Sequence, residues 1–228
     1  MPIVHFIDTL DRELLLLFNG SDSLFLDRLM LTATSAMTWL PLYLALFFLV
    51  LRNHDTLRAV AVVVLGAAVC LLLTELVSDV IAKPLVGRWR PSTDPVFRYS
   101  VRTVGDYRER GYGFFSSHAA NTFGIFTYFA WLVRRRLLTV SLLSWTLLNA
   151  WSRLYLGVHY PGDVFCGLLW GALCGTAAAS LTSRLMAKYQ LSVVHAPSSM
   201  TRDVRMVVCV LLLTYLYIVL RAFVSDGV

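Results

Sequence analysis

The sequence contains no internal repeat and no low-complexity tract, which excludes solenoids, propellers and compositionally biased arrays. Cysteine is sparse. Cys70, Cys166, Cys174 and Cys209 all lie inside apolar runs. None has metal-knuckle spacing, and a disulfide framework would need them in loops, so they are read as packing residues. A basic stretch ahead of the first apolar segment is also missing. The opening MPIVHFIDTLDRELLLLFNG carries acids early, so no signal peptide is expected and insertion falls to the spans themselves. Charged residues make up only 15% of the chain.

In their place stand apolar residues, 57% of the 228, above the roughly 45–50% of soluble domains. Mean hydropathy is +0.67. The excess falls in runs long enough to cross a bilayer, which predicts one all-α membrane domain over 1–228 with no separate soluble unit. Residues 1–20 read as an amphipathic interfacial helix ended by Asn19-Gly20. Six spans are expected, at 24–51, 57–82, 117–133, 137–155, 163–184 and 206–224. The insert 83–116, rich in Pro and Gly, is expected to be a loop.

Arg52 and Arg58, then Arg134 to Arg136, then Arg184, Lys188, Arg202 and Arg205 flank alternate turns. The positive-inside rule makes that face cytoplasmic. Loop 83–116, the turn 156–162 and both termini are then expected outside. The formal charge of +6 is assigned to lipid phosphate rather than nucleic acid. No protein partner is required by this reading.

Three polar clusters fall at outer ends of spans: KPLVGRWRP at 83–91, FFSSHAAN at 114–121 and SRLYLGVHYPGD at 152–163. Lys83, Arg90 and Arg153 are donors suited to phosphate oxygens. Ser116 and Ser117 precede a helix, whose free N–H groups and dipole favour an anion. Of two histidines, His118 and His159, one can attack while the other donates a proton. Asp163 can accept from one imidazole nitrogen and fix the tautomer. This inventory suits phosphoryl transfer. The same His and Asp residues are types that bind zinc, but Lys83, Arg90 and Arg153 would repel the ion. Arg88 and Trp89 read as interfacial anchors. Glu75 and Asp79 lie one helical turn apart, with Asp79 four residues before Lys83, and read as structural ion-pair partners.

The chain resembles the type 2 phosphatidic acid phosphatase superfamily of integral membrane lipid phosphatases. Lys83 with Arg90-Pro91 matches its first motif, and Ser152-Arg153, His159 and Asp163 match its third. In the middle motif, Phe115 and Ser117 stand where the family has Pro and Gly. The resemblance implies that His159 attacks phosphorus and carries a phosphohistidine, that Asp163 orients His159, and that His118 protonates the leaving oxygen. It implies that Lys83, Arg90, Ser116, Ser117 and Arg153 hold the phosphate, with no metal or cofactor. The expected activity is hydrolysis of a lipid phosphate monoester or diphosphate at the outer face of a bacterial inner membrane. A phosphotransferase using the same intermediate and a proton-coupled lipid transporter are the alternatives.

Overall fold

Ser35 interrupts the first expected span. In the computed structural model, which describes residues 2–191 and 197–224, 24–51 is not one helix. It is α2 (Leu24–Thr34) and α3 (Leu40–Arg52), joined by a single 3-10 turn at Ala36–Trp39 and bent by 71°. The cause is local. Ser35 takes an extended ψ of 123°, and Pro41 has no N–H to carry a helix back through the turn. The carbonyls left free are taken by side chains: the Thr38 hydroxyl donates to Thr32 O at 2.7 Å and the Trp39 indole to Ala33 O at 2.8 Å. Both groups are buried, where an unpaired carbonyl is costly.

α4 (Leu57–Glu75) starts on a Thr56 cap, which accepts from Ala59 N–H. It runs through a π-helical stretch, Leu76–Ala82, into the short α5 (Lys83–Val86). Together they make one rod, Leu57–Val86. The N–H of Lys83 reaches back five residues to Ser78 O, the wider turn that often marks functional helices. The expected loop therefore starts at Gly87, which takes a left-handed φ of +61°, and Lys83 rides on the last helical turn before it.

α6 (Ser117–Val133), α7 (Arg136–Tyr155), α8 (Pro161–Lys188) and α9 (Pro197–Val224) follow. Among the described residues there is no strand. Three helices are long and apolar enough to cross a membrane, Leu57–Val86, Pro161–Lys188 and Met200–Val224, and the bent α2–α3 pair makes a fourth. By length and composition alone, three or four of the six expected spans qualify. α6 has 17 residues, and the continuous helix α7 carries the polar Asn149 and Arg153 in its second half.

α6 lies at the centre, packed on α8, α4 and α7. Its seam with α8 is built on Gly167, Gly171 and Gly175, one per turn. A Cβ on Gly171 would sit 2.4 Å from Ala120 O, and one on Gly175 2.4 Å from Gly124 O. Small residues at this spacing let two membrane helices meet backbone to backbone. Asn53, His54, Val133, Met186 and Met200 line one cavity of about 260 Å³, so the turns flanked by arginines gather at one end of the bundle. Phe223 near the end of α9 packs its ring 4.6 Å from Phe25, at the opposite end. The termini expected outside, Met1 and Val228, lie beyond the described residues.

α1 (Pro2–Phe18) packs on this second end. Its Leu15 is buried with Phe97, Val101 and Tyr160, while Leu10, Leu14, Leu16, Leu17 and Phe18 are exposed.

Candidate active site

The three polar clusters meet at this end. Ser92 N–H donates to Gly157 O at 3.0 Å, tying the first cluster to the third, and Ser116 N–H donates to Asp163 O at 3.0 Å, tying the second to the third. Ser116 is the N-cap of α6, its hydroxyl accepting from Ala119 N–H at 3.4 Å. It is fully buried. Ser117 occupies the first turn of α6, where backbone N–H groups have no helical acceptor. Its hydroxyl accepts from Lys83 Nζ at 3.3 Å, so the side chain present where the family has glycine finds a partner within the site. Lys83 also pairs with Asp79, as the four-residue spacing anticipates. Glu75 accepts from Asn121 Nδ2 at 2.6 Å.

A cavity of about 500 Å³ is lined by Lys83, Arg90, Ser117 and His118, with Glu75, Asp79, Glu109, Arg110 and Tyr112 around them. His159, Arg153 and Asp163 lie beneath it, 1%, 0% and 0% exposed. Arg90 connects the layers: its Nη1 is 2.9 Å from His159 Nε2 and 3.1 Å from Val158 O. A guanidinium only donates, so Nε2 accepts and the imidazole proton sits on Nδ1. That is the tautomer a nucleophilic Nε2 needs. Nδ1 faces Asp163 Oδ2 at 3.6 Å, just beyond hydrogen-bond reach, and has no hydrogen-bond partner among the described residues. Burial, and then the positive charges of Arg90 and Arg153, hold the His159 pKa well below the usual imidazole value, so the ring is neutral.

The Asp163 carboxylate is fixed from two sides. Its Oδ2 accepts from Tyr160 N–H at 3.0 Å, closing the cap of α8. Its Oδ1 accepts from Arg88 Nη1 at 2.8 Å. Arg88 is therefore not an interfacial anchor. It lies 4.1 Å over the Tyr160 ring, and its Nη2 pairs with Asp11 Oδ2 at 2.7 Å. Asp11 in turn accepts from Gly162 N–H at 2.6 Å, satisfying a free donor in the first turn of α8. The N-terminal helix thus braces the aspartate of the third cluster. Asp11 and Arg88 carry no motif signature. Only their proximity in the fold reveals them.

Glu109 is the other residue that spacing could not find. Its Oε2 is 2.8 Å from Arg90 Nη1, its Oε1 accepts from Arg153 Nη2, and Tyr107 donates to Oε1 at 3.1 Å. Arg153 also donates to the Thr34 hydroxyl, at the end of α2 where the first span breaks. Of the basic loop residues, Arg98 and Arg102 point to Tyr99 and to Asp22 and Asp27, Arg108 donates to Ser92 O, and Arg110 lines the cavity.

A sequence profile described as PAP2 superfamily matches residues 61–187, more than half the chain, and spans all three clusters. The chain belongs to the PAP2 superfamily. Two relatives are matched over most of their own length as well. A lipid A 4'-phosphatase of Bacteroides thetaiotaomicron is 35% identical over 190 residues, 82% of this chain and 84% of the relative. A lipid A 4'-phosphatase of Porphyromonas gingivalis is 30% identical over 173 residues, 75% and 72% respectively. No solved structure gives a match. Membership in PAP2, together with the apolar helices, makes the chain a membrane lipid phosphatase.

Proposed function

We propose that the protein removes a phosphate monoester from a saccharide lipid of the lipid A type, through a phosphohistidine on His159, at the outer face of a bacterial inner membrane. The observation that carries this reading is Arg90. It bridges the His159 nitrogen that would attack and the carboxylate it shares with Arg153, so nucleophile and phosphate donors form one unit. The substrate class comes from the two relatives, both named for the 4'-phosphate of lipid A. The cavity agrees with it. Beyond Lys83 it offers Glu75 and Asp79 as acceptors, which suit sugar hydroxyls better than a bare glycerol ester.

Chemistry follows from the geometry. The substrate phosphate takes over the Arg90 guanidinium, which uncaps Nε2. Nε2 then forms a bond to phosphorus as the bond to the lipid oxygen breaks, and His118, entering the step as the imidazolium once the dianionic phosphate is bound beside it, gives that oxygen its proton and is left neutral. Asp163 balances the charge that develops on the ring. Water attacks next, passing a proton to His118, and the phosphorus–nitrogen bond breaks. Lys83, Arg90, Arg153 and the first-turn N–H groups of α6 neutralise the equatorial oxygens throughout.

The membrane reading has six crossings: the bent α2–α3 pair, the α4–α5 rod, α6, α7, α8 and α9. α6, about 25 Å long at 1.5 Å per residue, is short for a lipid-facing helix, and its central place among its neighbours compensates for this. α1 would lie in the interface with its exposed leucines in lipid.

Purified protein in detergent should release phosphate from lipid A, and release it more slowly from undecaprenyl diphosphate, phosphatidylglycerophosphate and phosphatidic acid. A chelator should leave the rate unchanged. Turnover of the glycerophospholipids alone would overturn the substrate assignment.

A further inference from the structure

Glu109 has no role in the mechanism above, yet it sits on the donors the mechanism needs. Its two carboxylate oxygens engage Arg90 and Arg153 at once. Both arginines are buried, 4% and 0% exposed, and are anchored independently of Glu109. Arg90 donates to Val158 O and Arg153 to Thr34 Oγ1. Glu109 belongs instead to the Gly87–Phe115 loop and lines the open cavity. The carboxylate is therefore the member of the trio that can leave. It also fits incompletely. Arg90 Nε and Arg153 Nε are buried and have no hydrogen-bond partner among the described residues. A phosphate monoester brings three free oxygens where a carboxylate brings two.

We propose that Glu109 is a built-in competitor for the phosphate position, and that it reserves the site for dianionic phosphomonoesters against the monoanionic phosphodiesters of the surrounding membrane. The inference rests on the phosphatase reading of the site. The physical argument compares charges. A phosphodiester carries one negative charge, the same as the carboxylate, and competes with a group held at high effective concentration by its own loop. A phosphomonoester carries between 1.5 and 2 charges at neutral pH, by rough analogy with phosphorylated side chains, and so gains attraction from two buried cations that a diester cannot. Without Glu109 those cations would face a membrane full of phosphodiester headgroups. Glu109 is an anion when it does this: burial alone would raise its pKa, but Arg153 and Arg90 outweigh burial and hold it well below the usual carboxylate range. Tyr107 supports it through the 3.1 Å hydrogen bond to Oε1.

The test is binding of a soluble monoanionic diester, dihexanoyl phosphatidylglycerol, measured by calorimetry on the full-length protein in detergent. Glu109→Gln should bind it at least about tenfold more tightly than the unmodified protein, the size expected when a tethered competitor is removed. Tyr107→Phe, which removes the hydrogen bond to Oε1 and the longer one accepted from Arg153 Nη1 at 3.4 Å while keeping the carboxylate's charge, should move the affinity the same way by less. Unchanged or weaker binding by Glu109→Gln would show that the carboxylate positions the arginines and does not compete. If that variant fails to fold, Tyr107→Phe decides alone, with unchanged affinity overturning the proposal. Phosphate release is measured in parallel. A protein that turns over no phosphomonoester, yet shows the affinity shift, would overturn the phosphatase reading and leave the competition standing.

Discussion

His159 is kept neutral and covered until substrate arrives. Burial and two arginines disfavour its protonated form, and Arg90 caps Nε2. In protein labelled at histidine nitrogen, the ligand-free His159 ring should stay neutral as pH falls through 6.5, where an ordinary imidazole is half protonated. The sign for stability follows: the unfolded chain takes up this proton first, so the contribution of His159 to stability is lost as pH falls below that value. Protonation with a midpoint near 6.5 would contradict the burial argument. Arg88 acts one step further away, through Asp163. Arg88→Ala leaves two buried carboxylates, Asp11 and Asp163, without their shared cation. It should lower kcat about 100-fold, the scale of a misplacement near 1 Å, with KM changed less, and Arg88→Lys should restore part of it. A loss confined to KM would instead place Arg88 on the substrate.

The residue types of the candidate phosphate set stand in three short polar clusters at span ends, which the fold brings to one end of the bundle. As candidates, Lys83, Arg90, His118, Arg153, His159 and Asp163 were legible in this way. Asp11, Arg88 and Glu109 were not. They act across separations that only the folded chain closes, and an arginine beside a tryptophan at a helix end reads more naturally as an interfacial anchor.

At the scale of elements, hydrophobic runs located the helices but not their interruptions. The run 24–51 is mostly apolar, and what breaks it is Ser35 and Pro41, with the Thr38 and Trp39 side chains reclaiming the freed carbonyls. The break has a use, since it brings Thr34 to Arg153. The junction of α6 and α8 is the other decisive element, because it sets Ser117 and His118 against Asp163. Gly171→Leu would drive its side chain into Ala120 O, where even a Cβ sits at 2.4 Å. Overpacking of this kind costs about 1–3 kcal/mol, and more where backbone must move. Thermal unfolding in detergent should fall by several degrees and activity should drop with it. An unchanged midpoint would mean that the two helices are less closely joined than the glycines imply.

For the whole molecule, the arginine-flanked turns gather at one end of the bundle and the three clusters at the other. That polarity is what charge along the sequence anticipated, and it gives the active site a single membrane face. At that second end α1 is joined to the site, since Asp11 ties it to Arg88 and to the start of α8. All of these supports converge on one atom, His159 Nε2, and on the claim that it attacks phosphorus. The most direct test is phosphate release from lipid A by His159→Ala, checked for folding by size-exclusion in detergent. Release should fall to background in a protein that elutes as the unmodified one does. Turnover retained by that folded variant would contradict the account.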